Sequence, residues 1–326
     1  MAIKRIIIGT RKSPLARWQA THVKELLETA YPGLEVLFKE IVTQGDRSQQ
    51  TNTAIPAIGG KGLFTAELES ALQEGSIDLA VHSLKDLPTE MDAVFTLAAI
   101  PERDAPFDVL VSRNGELLQQ LSKGAVVGTS SPRRESQLRK FRSDFVVKSV
   151  RGNVDSRIAK LMAHDGEFDA LILAEAGLSR LGRGDVISER LAPPIFLPAP
   201  GQGALAVQCA TKNTEIVSLV SKIDHQQTRL SVIAERAFLH ALGAGCSMPV
   251  AAFAQIVGNN LVFSGRAIAH DGSRSIEVSS TSPVMQVAEA HKIGQDAAQE
   301  VFAKGFRELM KCSTGNLPAI GSPLRT

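Results

Sequence analysis

The chain has 326 residues, 44% hydrophobic and 21% charged, with a mean hydropathy near zero; that length allows two or three domains with cores of their own, and the balance excludes a disordered chain. With 36 Lys and Arg against 34 Asp and Glu the formal net charge is only +2, so any basic surface must come from local clustering. One Trp and one Tyr offer few stacking platforms, which argues against nucleic acid as a partner.

Residues 3–8, IKRIII, read as a buried strand. The next segment, SPLARWQATHVKELLETA, has Ser13 as N-cap, Pro14 at the first helical position, and Leu15, Trp18, Val23, Leu26 and Leu27 near helical spacing. Residues 34–42 are strand-like, GGKG at 59–62 is rich in glycine, and LFTAELESALQEG reads as a helix leading into the apolar strand IDLAVH. A second series starts at AVVG (125–128) and continues through SPRRESQLRKF, FVVKSV, NVDSRIAKLMAH and FDALILA. Strands alternating with helices predict mainly parallel sheets. The run APPIFLPAPGQGA (192–204) breaks the alternation and reads as a segment crossing between lobes. Beyond it come a helix from Thr228 to a C′ glycine at Gly243, strand-like VAAFAQIV, LVFSGRAIA and RSIEVSS, and a last helix over 286–310, which together predict a separate α+β domain.

Cys209, Cys246 and Cys312 are odd in number, widely separated and outside any CxxC, so they read as free thiols, with neither a disulfide framework nor a metal site. The opening MAIKRIIIGT holds too short an apolar run for a secretory signal, and no later stretch reaches the roughly 18 apolar residues of a spanning helix. This reading places the chain in the cytoplasm with no membrane partner. GxxxxGK[ST], a GxGxxG after a strand, HExxH and GxSxG are all missing, which removes support for nucleotide, dinucleotide, zinc-peptidase and serine-hydrolase chemistry. GGKG lacks the spacing of a phosphate loop and reads instead as a lid.

Cations recur just past the predicted strand ends: Arg11 after IIIGT, Lys85 after VHSL, Arg133 and Arg134 after VVGTSS, and Arg151 after KSV. Ligands of open α/β sheets bind at that edge. One such Arg alone is most simply a solvated surface charge; agreement among several strand ends predicts a cleft for a ligand with several carboxylates or phosphates. Ser130 or Ser131 can cap the helix that Pro132 opens, leaving N–H groups for an anion. Asp86 is the one carboxylate seen in this basic set. The plain reading is an ion pair with Lys85 or a turn before Leu87 and Pro88; the functional one is a carboxylate that stabilises transient positive charge or relays a proton. His82 belongs to an apolar strand and reads as a hydrogen-bonded structural histidine. Cys246, in LGAGCSMPV, follows a helix end among glycines where a thiol can be approached, whereas Cys209 reads as buried.

GTRKSPLARWQA, VTQGD, GGKGLFTAELE, VHSLKDLPTE, VGTSSPRR, SVRGNVDSR, AEAGLSRLG, LPAPGQGALAVQC and GAGCSMPV run in order from about residue 6 to 250, and together they resemble the porphobilinogen deaminases, or hydroxymethylbilane synthases. Pro132 departs from the leucine common there after the paired serines, and Ser247-Met248 is one variant of a tolerant stretch; neither alters a charged group. The resemblance implies an α/β protein of two lobes similar to type II periplasmic binding proteins, with the active-site cleft between them, plus a smaller C-terminal α+β domain. The implied division is 1–103 with 203–222, then 104–202, then 223–326.

That family joins four porphobilinogen molecules head to tail, releases ammonia and then hydroxymethylbilane, and primes each chain on a dipyrromethane held by a thioether, which by motif position falls on Cys246. Loss of ammonia from porphobilinogen leaves an electrophilic azafulvene, and positive charge passes transiently through pyrrole nitrogens. Asp86 matches the catalytic aspartate. Lys85, Ser131, Arg133 and Arg134 match residues that hold the dipyrromethane. Arg11, Ser13, Gln19, Arg151, Arg157, Arg180 and Gln202 match residues that hold the incoming unit and chain. The expected partner is therefore porphobilinogen, and the expected state a monomer. A non-catalytic two-lobed binder of polyanions would share the cationic strand ends, but such proteins are exported and no signal is recognised here. A Cys-dependent acyltransferase would need a base beside Cys246, and none is recognisable in the adjoining sequence.

Overall fold

The computed structural model describes residues 3–45, 65–245 and 248–311. GGKG at 59–62, Cys246 and Cys312 lie outside the described residues. The first sheet contains β1 (Arg5–Thr10), β2 (Glu35–Glu40), β3 (Leu79–Ser83), β4 (Phe95–Ala99) and β10 (Leu205–Ala210), in the order β2-β1-β3-β10-β4. Between β1 and β2 runs α1 (Pro14–Ala30); Ser13 caps it by accepting from the Ala16 N–H at 3.2 Å, with Pro14 in the first turn. Its buried stripe is Ala16, Gln19, Ala20, Val23 and Leu27, so Leu15, Trp18 and Leu26 flank the core instead of forming it. The helix α2 (Ala66–Gln73) buries Leu68, Ala71 and Leu72.

The second sheet contains β5 (Asp108–Ser112), β6 (Val126–Gly128), β7 (Val146–Lys148), β8 (Ala170–Ala174) and β9 (Glu189–Leu191), in the order β7-β6-β8-β5-β9. Its helices are α3 (Pro132–Phe141), α4 (Val154–Met162) and α5 (Glu175–Arg180). Both sheets follow one plan. Three strands are parallel (β2-β1-β3 and β7-β6-β8), and the fourth in order, β10 or β5, is antiparallel to both neighbours. Each antiparallel strand arrives from the other lobe, so the chain crosses twice, at 100–107 and at 192–204. The residue pattern marks only the second crossing; the first is placed by the boundary at 103/104 that the resemblance implies. β5 is buried at all five positions and so has no alternation to betray it.

The helix α6 (Thr214–Val220) returns to the first lobe, and α7 (Gln226–Ala241) opens the third unit with His225 as its N-cap and Gly243, at φ +62°, beyond its end. There β11 (Val250–Val257), β12 (Asn260–Ile268) and β13 (Ser275–Pro283) form an antiparallel sheet covered by α7 and α8 (Val287–Ala303). Phe238 and Phe263 meet edge-to-face in its core, with centroids 5.4 Å apart. Each contributes about 1.5–3 kcal/mol by burial. The single helix expected over 286–310 is interrupted at Lys304 and Gly305, after which α9 (Phe306–Lys311) begins.

Both crossings are fastened to this third unit. Arg103 pairs with the fully buried Glu235 of α7 at 2.7 Å, and the same carboxylate accepts from the Gly201 and Ala254 backbones. Gly203 has φ +85°, and a Cβ there would lie 2.4 Å from the Asp104 carbonyl, so only glycine lets the crossings touch. Arg266 of β12 donates to the carbonyls of Pro194 and Ile195.

Candidate active site

The strand ends that carry Lys85 and the Arg133–Arg134 pair are joined where the lobes meet. β3 ends at Ser83 and passes into one 3-10 turn, Leu84–Asp86. Backbone bonds from Leu84 N to Ala204 O (3.0 Å) and from Leu87 N to Leu84 O (3.2 Å) set the turn. From α7, Arg236 donates to the carbonyls of Leu84, Leu87 and Pro88 at 3.3, 3.1 and 2.6 Å. Asp86 is thus exposed on a backbone held from behind by another domain. Nothing in the sequence distinguished Arg236 from other helix-surface arginines.

Across from this turn, α3 starts with Ser131 as N-cap and Pro132 in its first turn. The side-chain cap expected from Ser130 or Ser131 does not form: the Ser131 hydroxyl makes no capping bond and Ser130 Oγ donates to Val150 O at 2.8 Å, which leaves the first-turn N–H groups without a side-chain cap among the described residues. Arg133 and Arg134 bring a second carboxylate into the basic set. They are buried, and both bind Asp108, the first residue of β5, whose side chain is fully buried. Arg133 Nη1 donates to Asp108 Oδ2 at 2.6 Å and to Leu197 O at 2.7 Å, and Nη2 to Asp108 Oδ1 at 3.2 Å. Arg134 reaches Asp108 Oδ1 through Nε (2.9 Å) and Nη2 (2.7 Å), and Ile172 O through Nη1 (3.0 Å). Asp86 is therefore not the only carboxylate in the basic set. A carboxylate opening an apolar strand, as in PFDVLVS, must find cations once buried, and that is the signal by which Asp108 can be found.

Gln202 extends the network by donating to Asp108 Oδ1 at 3.0 Å and to Pro106 O at 2.7 Å while accepting from Lys85 Nζ at 3.1 Å. Lys85, Gln202, Asp108, Arg133 and Arg134 form one chain of contacts joining the first lobe, both crossings and the second lobe. Burial would raise the Asp108 carboxyl, but Arg133 and Arg134 outweigh it and hold the group below its ordinary 3.8. Burial lowers Lys85 to about 8, with Arg134 adding, so the ammonium persists at neutral pH. Among the described residues each guanidinium uses three of its five N–H donors, which leaves two on each.

The other expected residues fall into three groups. Gln19 is buried and donates to Ser83 Oγ at 2.8 Å, beside the Asp86 turn, while Ser13 serves as the helix cap. His82 donates to Gln208 at 3.0 Å, and burial lowers it to about 4, the Gln208 bond opposing and Arg11 adding to the fall. It is the structural histidine expected, with Arg11 near it. Arg157 donates to Gly152 O at 2.8 Å, and burial together with Arg134 lowers its pKa, which places it on the same cationic side. Arg151 is exposed at the end of the segment after β7. Arg180, on α5, donates to Gly203 O at 2.6 Å and lies 3.4 Å from Asp104. Cys246 lies outside the described residues, between Gly245 and Met248.

Asp108→Asn keeps the shape but leaves two buried guanidiniums without their counter-charge. We expect a loss of about 3–5 kcal/mol of stability in denaturant unfolding at pH 7, the scale of breaking one side of a buried pair. The sign with pH follows from the lowered carboxyl: wild-type stability from Asp108 is present above 3.8 and is lost as pH falls further, whereas the variant has no such contribution to lose. Unfolding midpoints within about 0.5 kcal/mol of wild type would mean that Asp108 is not the anchor.

Residues 6–218 match the family model "Porphobilinogen deaminase, dipyromethane cofactor binding domain", and residues 229–303 match "Porphobilinogen deaminase, C-terminal domain". The chain is 46% identical over 303 residues to a porphobilinogen deaminase of Xanthomonas euvesicatoria pv. vesicatoria, covering 93% of this chain and 97% of that protein. It is 43% identical over 308 residues to one of Maridesulfovibrio salexigens, covering 94% and 98%. Among solved structures, the second substrate-binding domain of a putative amino acid ABC transporter from Streptococcus pneumoniae aligns with TM-score 0.42 and 17% identity, over 73% of this chain and 94% of that one. The fold described above rests on its own strand order and not on that likeness. Among the described residues no helix is long and apolar enough to cross a membrane, and no group of His, Cys, Asp and Glu is placed to hold a metal ion.

Proposed function

Because the chain belongs to the porphobilinogen deaminase family, we propose that it joins four porphobilinogen molecules head to tail on a dipyrromethane attached through a thioether to Cys246, releasing ammonia and then hydroxymethylbilane. The observation that carries this reading is the chain of the half-buried Lys85 and the buried Gln202, Asp108, Arg133 and Arg134 beside the exposed Asp86. Two guanidiniums and one ammonium share a single carboxylate, so the cluster keeps net positive charge and unused N–H donors. A dipyrromethane brings an acetate and a propionate on each ring. The donor set fits such a polyanion: planar forks on Arg133 and Arg134, a point charge on Lys85 and the open first turn of α3. When bound, the dipyrromethane supplies a free pyrrole α-carbon as nucleophile.

The chain's own residues act on the incoming unit. Asp86 is placed to stabilise the positive charge that develops on the pyrrole nitrogen of porphobilinogen as ammonia leaves, and to accept or return a proton there. Arg11, Ser13, Gln19, Arg151, Arg157, Arg180 and Gln202 are proposed to position substrate carboxylates; Ser13 and Gln202 do so while also holding backbone or side-chain partners. Lys85, Ser131, Arg133 and Arg134 are assigned to the dipyrromethane. The division 1–103 with 203–222, 104–202 and 223–326 is supported by the three separate sheets and by the break between the two matched family segments. We further assign the enzyme to the cytoplasm as a monomer that uses neither nucleic acid nor membrane.

The test is the intact mass of the purified protein together with its reaction with Ehrlich's aldehyde. The reading predicts a mass above that of the sequence by one dipyrromethane and a positive colour reaction. A mass equal to the sequence, unchanged after incubation with porphobilinogen, would favour a non-catalytic polyanion binder.

A further inference from the structure

The chain's sole tryptophan, Trp18, lies on α1 of the first lobe, half-buried, with its ring stacked on His22 at a centroid distance of 5.1 Å and an interplanar angle of 12°. Over that ring, 5.4 Å from its centroid, sits the guanidinium carbon of Arg180 from the second lobe. A cation over an indole is the strongest of the side-chain cation–π contacts. Arg180 is only 8% exposed, yet its Nε makes no hydrogen bond. Asp104 Oδ2 lies 3.4 Å from that nitrogen, a long ion pair, and the Asp104 side chain, 35% exposed, accepts from the Ala105 N–H through Oδ1 at 2.7 Å. The guanidinium is thus held by Gly203 O at one end and by the Trp18 face, and it stops short of closing on the nearest carboxylate.

We infer that Trp18 is a positioning residue for substrate binding: its indole face keeps Arg180 from pairing fully with Asp104 and so leaves a buried N–H for a carboxylate of the incoming porphobilinogen. Without the ring, only the bond to Gly203 O and the Ala105 N–H on Asp104 Oδ1 stand against Arg180 closing further onto Asp104, where the ion pair would tighten and take up the free N–H. The inference rests on the function proposed above, and on Arg180 as a substrate contact, but it assigns a role to a residue that contributes no charge of its own. It predicts a weaker Michaelis complex with little effect on the chemical step.

The test uses holoenzyme, with the dipyrromethane verified by mass in every sample, and steady-state kinetics with porphobilinogen. Trp18→Leu should raise KM about tenfold, the scale of one partly desolvated cation–π contact, with kcat within about threefold of wild type. Trp18→Phe, which keeps a weaker face, should fall between. Adding Asp104→Asn to Trp18→Leu should bring KM most of the way back, which a merely structural role for Trp18 would not do. As a check that needs no altered Trp18, porphobilinogen should change the tryptophan emission of the wild-type holoenzyme over the concentration range of KM, and Arg180→Gln should abolish that change. An unchanged KM in Trp18→Leu, no recovery in the double variant, or a flat emission in wild type would each overturn the inference. Failure of the wild type itself to consume porphobilinogen would instead defeat the proposed function, and this inference with it.

Discussion

Asp86→Asn holoenzyme should consume porphobilinogen about a thousandfold more slowly than wild type, a barrier increase of about 4 kcal/mol. The substitution is nearly isosteric. Asp86 is exposed at the end of the Leu84–Asp86 turn, whose backbone is fixed by Ala204 and by the three carbonyl bonds from Arg236, so the turn does not depend on the carboxylate. What the variant loses is negative charge and proton exchange beside the reacting nitrogen. Lys85, Arg133 and Arg134 remain, so the variant should still carry dipyrromethane and still bind porphobilinogen. Single-turnover rates at matched occupancy make the comparison. A rate within about tenfold of wild type would reduce Asp86 to a turn residue.

Cys246→Ser should yield folded protein with no thioether-linked dipyrromethane and no sustained turnover. A serine hydroxyl is a much poorer nucleophile than a thiolate. Cys209 cannot substitute: it is buried in β10, and burial pushes its thiol up to about 12. The third unit's core surrounds Phe238 and Phe263 and includes Ala244 and Val250 on either side of the loop, so its stability should not depend on the loop thiol. The readout is intact mass after incubation with porphobilinogen, beside a circular dichroism spectrum matching wild type. A normal adduct on the variant would move the attachment to Cys312.

Much of this was legible in the sequence where the signal is local. Ser13 and Pro14 announce the start of α1, and Pro132 that of α3; the strand-like pattern gives β11 and β12 to within a residue and β13 except for its last three residues. The cationic strand ends also pointed to the edge where the network lies. What stayed hidden depends on partners far apart in the chain. Asp108 meets Arg133 and Arg134 across 25 and 26 residues, and Arg236 reaches the Asp86 turn from about 150 residues away. Pairing of that range is decided by topology, here by the antiparallel strand β5 arriving from the first lobe. Buried on both faces, β5 looks like any apolar run, and the Asp at its head looks like a turn residue. Trp18 was read as core from helical spacing, but the stripe one residue away carries the burial and leaves its ring to meet Arg180.

The central claim is that one catalytic centre, holding its growing product covalently, acts repeatedly. Intact-mass spectra of wild-type holoenzyme, quenched at intervals with porphobilinogen limiting, test it most directly. The account predicts a series of enzyme species separated by one equal increment, that of porphobilinogen less ammonia, with Arg151 and Arg157 variants altering the relative heights through lost carboxylate contacts. Finding only the starting holoenzyme and free product at every time under single-turnover conditions would contradict it.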